Sequence, residues 1–394
     1  MASSSRDILS QIESIRTVGF AVLDGGFSTH LEDVLKEDIS SSPLWSASLL
    51  RNEDGSSSII RTHFDFLEAG AQIISTSTYQ ASPLSFARAG IDKNTSRSLL
   101  LRSVDLASQA RKIYLEKHPD AIEKPLISLS LGPYGAAQSD GSEYTGLYYD
   151  PSNSKDDAFK PATLEDMIKF HYDRLEIIAA EPSIWSQVDL LAFETIPRLD
   201  EAKAIKEALN RLYLNSFQCQ HKPAYISFVF PDGKRLPYPK QEGDEYPQKH
   251  FDEIAKCVIT FEGVGVNCTK PYFLPELVER LTRAMEKMMP EGRETKKPYL
   301  FLYPDGGLIW DGIAKVWKED ERQEDRTINA KNRQTWARKV MEAAKTSGVK
   351  RQNDNENVKR SIWQGCFIGG CCKSTTKDIQ LLRIEIQQMQ MSLR

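Results

Sequence analysis

Cys371 and Cys372 stand side by side behind Gly369-Gly370 at the end of a short apolar run, and Cys268 lies far upstream in Val266-Asn267-Cys268-Thr269. Three thiolates that meet at one point, with no fourth protein ligand evident beside them, describe a zinc site with an open coordination position, where zinc does chemistry. Successive side chains of a regular strand point to opposite faces, so Cys371 and Cys372 cannot both reach one ion from inside a strand. They must sit where a strand breaks into its loop, and Gly369-Gly370 supplies the break because glycine adopts backbone angles that other residues avoid. On spacing alone two readings compete with this one: a closed structural zinc site with a distant fourth ligand, and buried thiols acting as small hydrophobes. The second describes Cys219, Cys257 and Cys366.

The elements that would carry these thiols recur along the chain. Short β-rich apolar runs at 21–24, 73–76, 126–129, 190–194, 225–229, 264–268, 299–303 and 366–368 alternate with longer segments of helical character, such as Ser56 to Gly70 with Ile59, Ile60, His63, Phe66 and Leu67 at helical spacing. Near-continuous apolar strands between helices belong to a parallel sheet covered on both faces, and eight such units predict a single (β/α)8 TIM-type barrel spanning residues 1–394. Polar, Gly- or Pro-punctuated residues follow the runs, as in Asp24-Gly25-Gly26, Thr76-Ser77-Thr78-Tyr79, Gly132-Pro133-Tyr134-Gly135 and Glu194-Thr195-Ile196-Pro197, and they gather on the face where barrel enzymes build their sites. The charged stretches 231–250, after the fifth run, and 315–360 read as surface insertions, with the charges from Lys315 to Arg333 and from Lys350 to Arg360 flanking a helix around Trp336, Val340 and Ala344 before the last strand. The tail from Thr376, with Ile379, Leu382, Ile386 and Met389 at helical spacing, reads as a closing helix outside the barrel.

Composition narrows the partners. With Lys+Arg 51 against Asp+Glu 55 in 394 residues, net charge −4, and no concentrated basic face, nucleic acid is not expected as a ligand. The start of the chain lacks a basic segment followed by an apolar one, and no uncharged apolar run is long enough to span a bilayer, so a soluble, cytoplasmic protein is expected. Six cysteines in so long a chain do not make a disulfide scaffold.

The blocks Leu23-Asp24-Gly25-Gly26-Phe27-Ser28-Thr29, Leu44-Trp45-Ser46-Ala47, Thr76-Ser77-Thr78-Tyr79-Gln80, Gly132-Pro133-Tyr134-Gly135-Ala136, Gly141-Ser142-Glu143-Tyr144-Thr145-Gly146, Glu194-Thr195-Ile196-Pro197, Val266-Asn267-Cys268 and Ile368-Gly369-Gly370-Cys371-Cys372 come in one order from about residue 20 to 380. Together they resemble the zinc-dependent homocysteine S-methyltransferases. The resemblance implies a (β/α)8 barrel in which Cys268, Cys371 and Cys372 hold Zn2+ and the thiolate of L-homocysteine takes the open position. It also marks Asp24 and Glu194 for the homocysteine ammonium, since a zwitterionic amino acid needs a carboxylate there, and the backbone around Gly25-Gly26 for further substrate contacts. Tyr79, Tyr134 and Tyr144 are expected to face a cationic methyl donor, and Asn267 to support the neighbouring cysteine. The sequence departs from the family pattern in Lys373-Ser374-Thr375-Thr376-Lys377, where an Arg and a Pro are usual, and at Asp305, where an Asn is.

The expected donor is a sulfonium, S-methylmethionine first and S-adenosylmethionine second, because a sulfonium leaves as a neutral thioether. Betaine and methylated cobalamin are the rival donors. From other classes, a zinc hydrolase lacks a His-rich ligand set or a general base beside the cysteines, and a zinc-stapled binding scaffold would need four protein ligands. The sequence leaves the oligomeric state open.

Overall fold

The computed structural model describes residues 7–149, 160–215, 219–239, 248–289, 296–311, 316–319, 330–349 and 361–392. Parts of both charged stretches, 240–247, 315, 320–329 and 350–360, lie outside the described residues.

All eight expected runs are strands of one parallel sheet: β1 (Phe20–Val22), β2 (Ile73–Ser75), β3 (Leu126–Leu131), β4 (Leu190–Ile196), β5 (Ala224–Phe228), β6 (Gly263–Asn267), β7 (Tyr299–Tyr303) and, after the antiparallel hairpin β8 (Leu308–Asp311) and β9 (Val316–Glu319), β10 (Cys366–Ile368). The order β1-β10-β7-β6-β5-β4-β3-β2 becomes a ring where β1 meets β2 through Gln72 N–H to Val22 O (2.8 Å), Asp24 N–H to Ile73 O (3.0 Å) and a parallel Leu23–Ile73 bridge. The hairpin was not expected from the sequence. The helix expected around Trp336 is Ala330–Thr346, and it buries Trp336, Ala337, Val340, Met341, Ala343 and Ala344 in the barrel's outer layer.

Strand alternation sorts the side chains. Phe20 and Val22 face the helices, while Ala21 and Leu23 join Ile73, Leu126, Leu190, Ala192, Tyr225, Tyr299, Phe301 and Phe367 inside the ring. The interior centres on Phe301, stacked on Tyr225 at 3.8 Å between ring centroids and on Phe367 at 4.8 Å. β6 makes the room with glycine: a Cβ on Gly265 would lie 2.1 Å from Phe301 O, and one on Gly263 would lie 2.3 Å from the Phe301 ring. Leu9, Ile12 and Ile15 of the N-terminal segment join this cluster and close the floor of the barrel.

The outer helices form where the apolar spacing put them. Glu53–Glu68 starts at Asn52, whose side chain accepts from Gly55 N–H at 2.7 Å, and stops before Gly70 at φ 100°. Thr376–Met391 buries Ile379, Leu382, Ile386 and Met389. No helix among the described residues is long and apolar enough to cross a membrane.

Phe301 contacts two rings and fills the glycine-lined side of β6, so Phe301→Ala should destabilise the protein by about 3–5 kcal/mol. The check is the midpoint of denaturant unfolding, and a loss below about 1 kcal/mol would show that this aromatic layer is not what fills the barrel.

Candidate active site at the barrel mouth

Interior positions continued upward reach the mouth. On β4, Leu190 and Ala192 point inward, so Glu194 does too; on β3 the same parity sets Ser128 and Ser130, on β7 Tyr303, and on β6 Asn267. Ser130 and Tyr303 donate to the Glu194 carboxylate. Asp24, just past β1, accepts from Ser75 N–H at 2.6 Å and from the Ser75 hydroxyl at 3.2 Å. Asp24 and Glu194 are 6% and 9% exposed, and burial raises both carboxyls to about 7 against the hydrogen bonds that favour ionisation; Asp24 also feels the charge of Glu194. Such a pair is short of positive charge.

The three cysteines converge. Cys268 follows β6 and the pair follows β10, and the three sulfurs lie within 4.8 Å of one another, each on a partly exposed residue. Cys268 and Cys371 are joined as a disulfide, and Cys372 Sγ lies 4.0 Å from Cys371 Sγ. The sequence reading expected three separate thiolates; in this form only Cys372 has a sulfur free to ionise, so a metal-binding form requires reduction. The donor set fits zinc nonetheless, because sulfurs about 2.3 Å from a tetrahedral ion stand about 3.8 Å apart. Burial pushes the Cys372 thiol up to about 12, and Asp305 adds to the shift while Tyr144, which donates to the sulfur, opposes it.

The Gly-Gly break works, for a different reason than the one expected. Neither Gly369 nor Gly370 has a positive φ; the left-handed residues are Cys268 at 46° and Lys373 at 62°. What glycine provides is space. A Cβ on Gly369 would lie 2.6 Å from Leu23 Cβ and 2.7 Å from Asp24 O, and one on Gly370 would lie 2.1 Å from Ser374 Oγ. The loop is then fastened by Gly370 N–H to Asp24 O (3.0 Å), Cys371 N–H to Pro304 O (2.8 Å), Gly306 N–H to Cys372 O (2.7 Å) and Gly26 N–H to Ser374 O (3.1 Å). Gly25 is set by the same packing, since a Cβ there would lie 2.8 Å from the Phe66 ring.

Asn267 does not bond to the cysteine beside it. Its Oδ1 accepts from Thr195 N–H and from Ser227 Oγ, both at 2.8 Å, and its Nδ2 donates to Thr195 Oγ1 at 2.7 Å. It thereby holds Thr195, at φ 60°, directly behind Glu194. Thr195 in turn hydrogen-bonds the Tyr79 hydroxyl, and Tyr79 and Tyr144 are buried phenols in electrostatic range of Cys372. Tyr134 is elsewhere: its ring packs on Tyr148 and Phe170 at 5.5 and 5.2 Å in a cluster with Ala204 and Ala208, outside the mouth. Its N–H donates to Glu201 (2.6 Å), which also takes Tyr148 OH (2.6 Å) and His171 (3.0 Å). The sequence reading missed Ser75, Ser130 and Thr195, and this buried Glu201–His171 pair under the loop; strand parity was the signal that could have found the two serines.

Residues 21–386 match the sequence profile of the homocysteine S-methyltransferase domain. The chain belongs to the homocysteine S-methyltransferase family. Its chemistry is methyl transfer to homocysteine. Relatives include homocysteine S-methyltransferase 1 of Arabidopsis thaliana, 31% identical across 94% of each chain, and homocysteine S-methyltransferase 2 of the same plant, 34% identical across 96% of this chain and 95% of that one. The selenocysteine Se-methyltransferase of Brassica oleracea var. italica is 32% identical across 93% of this chain and 88% of its own. Among solved structures, the homocysteine methyltransferase MmuM from Escherichia coli superposes in its metallated form with a TM-score of 0.62, 25% identical over 93% of this chain and 96% of that one. Its oxidized form superposes at 0.63.

Because burial raises Asp24 and Glu194 above their unfolded values, the two groups stabilise the ligand-free fold below about pH 4 and this contribution is lost as pH rises through about 7. The double variant Asp24→Asn, Glu194→Gln should flatten the fall in stability between those limits. Unfolding midpoints measured against pH give the slope, and an unchanged slope would contradict the assignment.

Proposed function

We propose that this protein methylates L-homocysteine with a sulfonium donor, S-methylmethionine before S-adenosylmethionine, at a zinc ion held by Cys268, Cys371 and Cys372. The observation that carries the reading is the meeting of three sulfurs at the carboxyl ends of β6 and β10, open to the mouth. Zinc held by these three sulfurs would favour the thiolate form of the homocysteine thiol, and an all-sulfur ligand set would leave that thiolate electron-rich. A relative of the same fold solved in a metallated form is consistent with this.

The chain's own residues do the positioning. Asp24 and Glu194, buried and lacking positive charge, receive the homocysteine ammonium, which lowers both carboxyls into their ionised range. Gly25, with no side chain between Phe66 and Ser374, lets the substrate lie against the backbone. Asn267 fixes Thr195 and through it Tyr79. Tyr79 and Tyr144 border the space where the donor's positive sulfur must arrive. Transfer is an in-line displacement: the homocysteine sulfur forms a bond to the methyl carbon as the donor's sulfur–methyl bond breaks, and the electron pair leaves on the donor sulfur as a neutral thioether. Betaine must expel an amine instead. The relative named for methylating selenocysteine fits a site built for a soft nucleophile. Thiolate ligands also require a reducing compartment, for which we infer the cytoplasm. The whole chain serves one catalytic barrel.

The reduced protein should bind about one zinc per chain, and Cys268→Ser, Cys371→Ser and Cys372→Ser should each lose most of it. Metal analysis decides, and a mutant with full zinc removes that residue from the site. A chelator should abolish methyl transfer with circular dichroism unchanged, because a core of this size folds without metal; cooperative unfolding on chelation would instead favour a structural staple. With homocysteine and each donor supplied separately, methionine should form from S-methylmethionine. Turnover with betaine or methylcobalamin and none with the sulfonium would overturn the donor assignment.

A further inference from the structure

Glu143 lies after β3 in the short helix Ser142–Thr145, between Gly141 at φ 84° and Gly146 at φ 68°. The segment is fixed: a Cβ on Gly135 would lie 2.7 Å from Glu143 N, and Gly146 O accepts from Arg198 at 2.9 Å. The Glu143 residue is 9% exposed, and its Oε2 has no hydrogen-bond partner among the described residues. The nearby acid Asp140 is served, accepting from Ser142 N–H at 3.0 Å and from the Ser142 hydroxyl. The next residue of this helix, Tyr144, donates to Cys372, which brings the segment to the mouth beside the sulfur cluster, with the Glu143 carboxylate in electrostatic range of Tyr79, Tyr144 and Cys372. Asp24, by contrast, accepts from Ser75 and feels the like charge of Glu194.

A carboxylate oxygen buried without a donor is costly, and that cost is recovered when a ligand brings an N–H to it. Burial accordingly raises this carboxyl to about 7, with Asp140 adding to the shift. Homocysteine brings one ammonium, which Asp24 and Glu194 account for. A sulfonium has no hydrogen to donate, so the positive sulfur of the donor does not satisfy Oε2. The donor's own α-ammonium does.

We propose that Glu143 receives the α-ammonium of the methyl donor, so that the mouth selects a sulfonium amino acid over a sulfonium lacking the amino group. The proposal rests on the sulfonium reading above. It gives the site two separate ammonium pockets, Asp24 with Glu194 for the acceptor and Glu143 for the donor.

The test compares wild type and Glu143→Gln, both reduced and zinc-loaded, for steady-state constants and for calorimetric Kd values of S-methylmethionine and of dimethylsulfonioacetate, a sulfonium without an amine. Loss of one charge-assisted hydrogen bond should raise KM and Kd for S-methylmethionine about 10- to 100-fold. KM for homocysteine and Kd for dimethylsulfonioacetate should stay within about twofold. Glu143→Asp, which keeps the charge, should recover part of the loss, and it serves as the test variant if Gln disturbs the loop. Equal weakening of both sulfoniums, or unchanged affinity for S-methylmethionine, overturns the proposal. Failure of the donor reading itself is visible separately, as a wild-type enzyme silent with S-methylmethionine.

Discussion

Everything at the mouth depends on bringing the side chains of two successive residues to one point, which a β-strand forbids. The chain meets this constraint by ending β10 at Ile368 and tying the next six residues to its neighbours through main-chain bonds, to Asp24 and Gly26 on one side and to Pro304 and Gly306 on the other. These bonds are independent of side-chain identity, and the glycines that permit them are defined by what they leave out. The same bonds couple the cysteine loop to Asp24, so the sulfur cluster and the acid pair form one rigid unit.

The chemistry of that unit is lopsided. Asp24, Glu194 and Glu143 are buried carboxyls held up to about 7, and Cys372 is a thiol held up to about 12. Each is in a state that a cation would reverse. Lys270, 3.0 Å from Asp305, supplies positive charge at the rim, and Lys373 is turned away to Asp33 at 2.7 Å. A site arranged this way holds its negative charge in reserve for what binds, and functional sites commonly keep such strain at the expense of stability.

Much of this was legible in the residues. The eight strands, the helix ended by Gly70 and the closing helix after Thr376 followed from apolar spacing, because burial on one face leaves a periodic trace. The three cysteines were legible as a set because three soft ligands are rare enough to notice. What escaped was relational. Nothing in Ser75 or Ser130 distinguishes them from other strand serines until the register brings them to Asp24 and Glu194. Tyr134 looked like a mouth residue from its place after a strand, yet one turn of chain carries its ring back against Phe170. The β8–β9 hairpin escaped because its strands lie beside the charges that made the region read as a solvated insertion.

The aromatic layer has a further consequence. Phe301, stacked between Tyr225 and Phe367 and backed by glycines of β6, plugs the barrel below the acid pair, and Leu9, Ile12 and Ile15 seal it beneath. Among the described residues the site is thus a cup, closed beneath, with its aperture at the mouth. Acceptor, donor and both products share that aperture, and whichever molecule lies deepest must enter first and depart last. Order of traffic is built into the floor of the barrel.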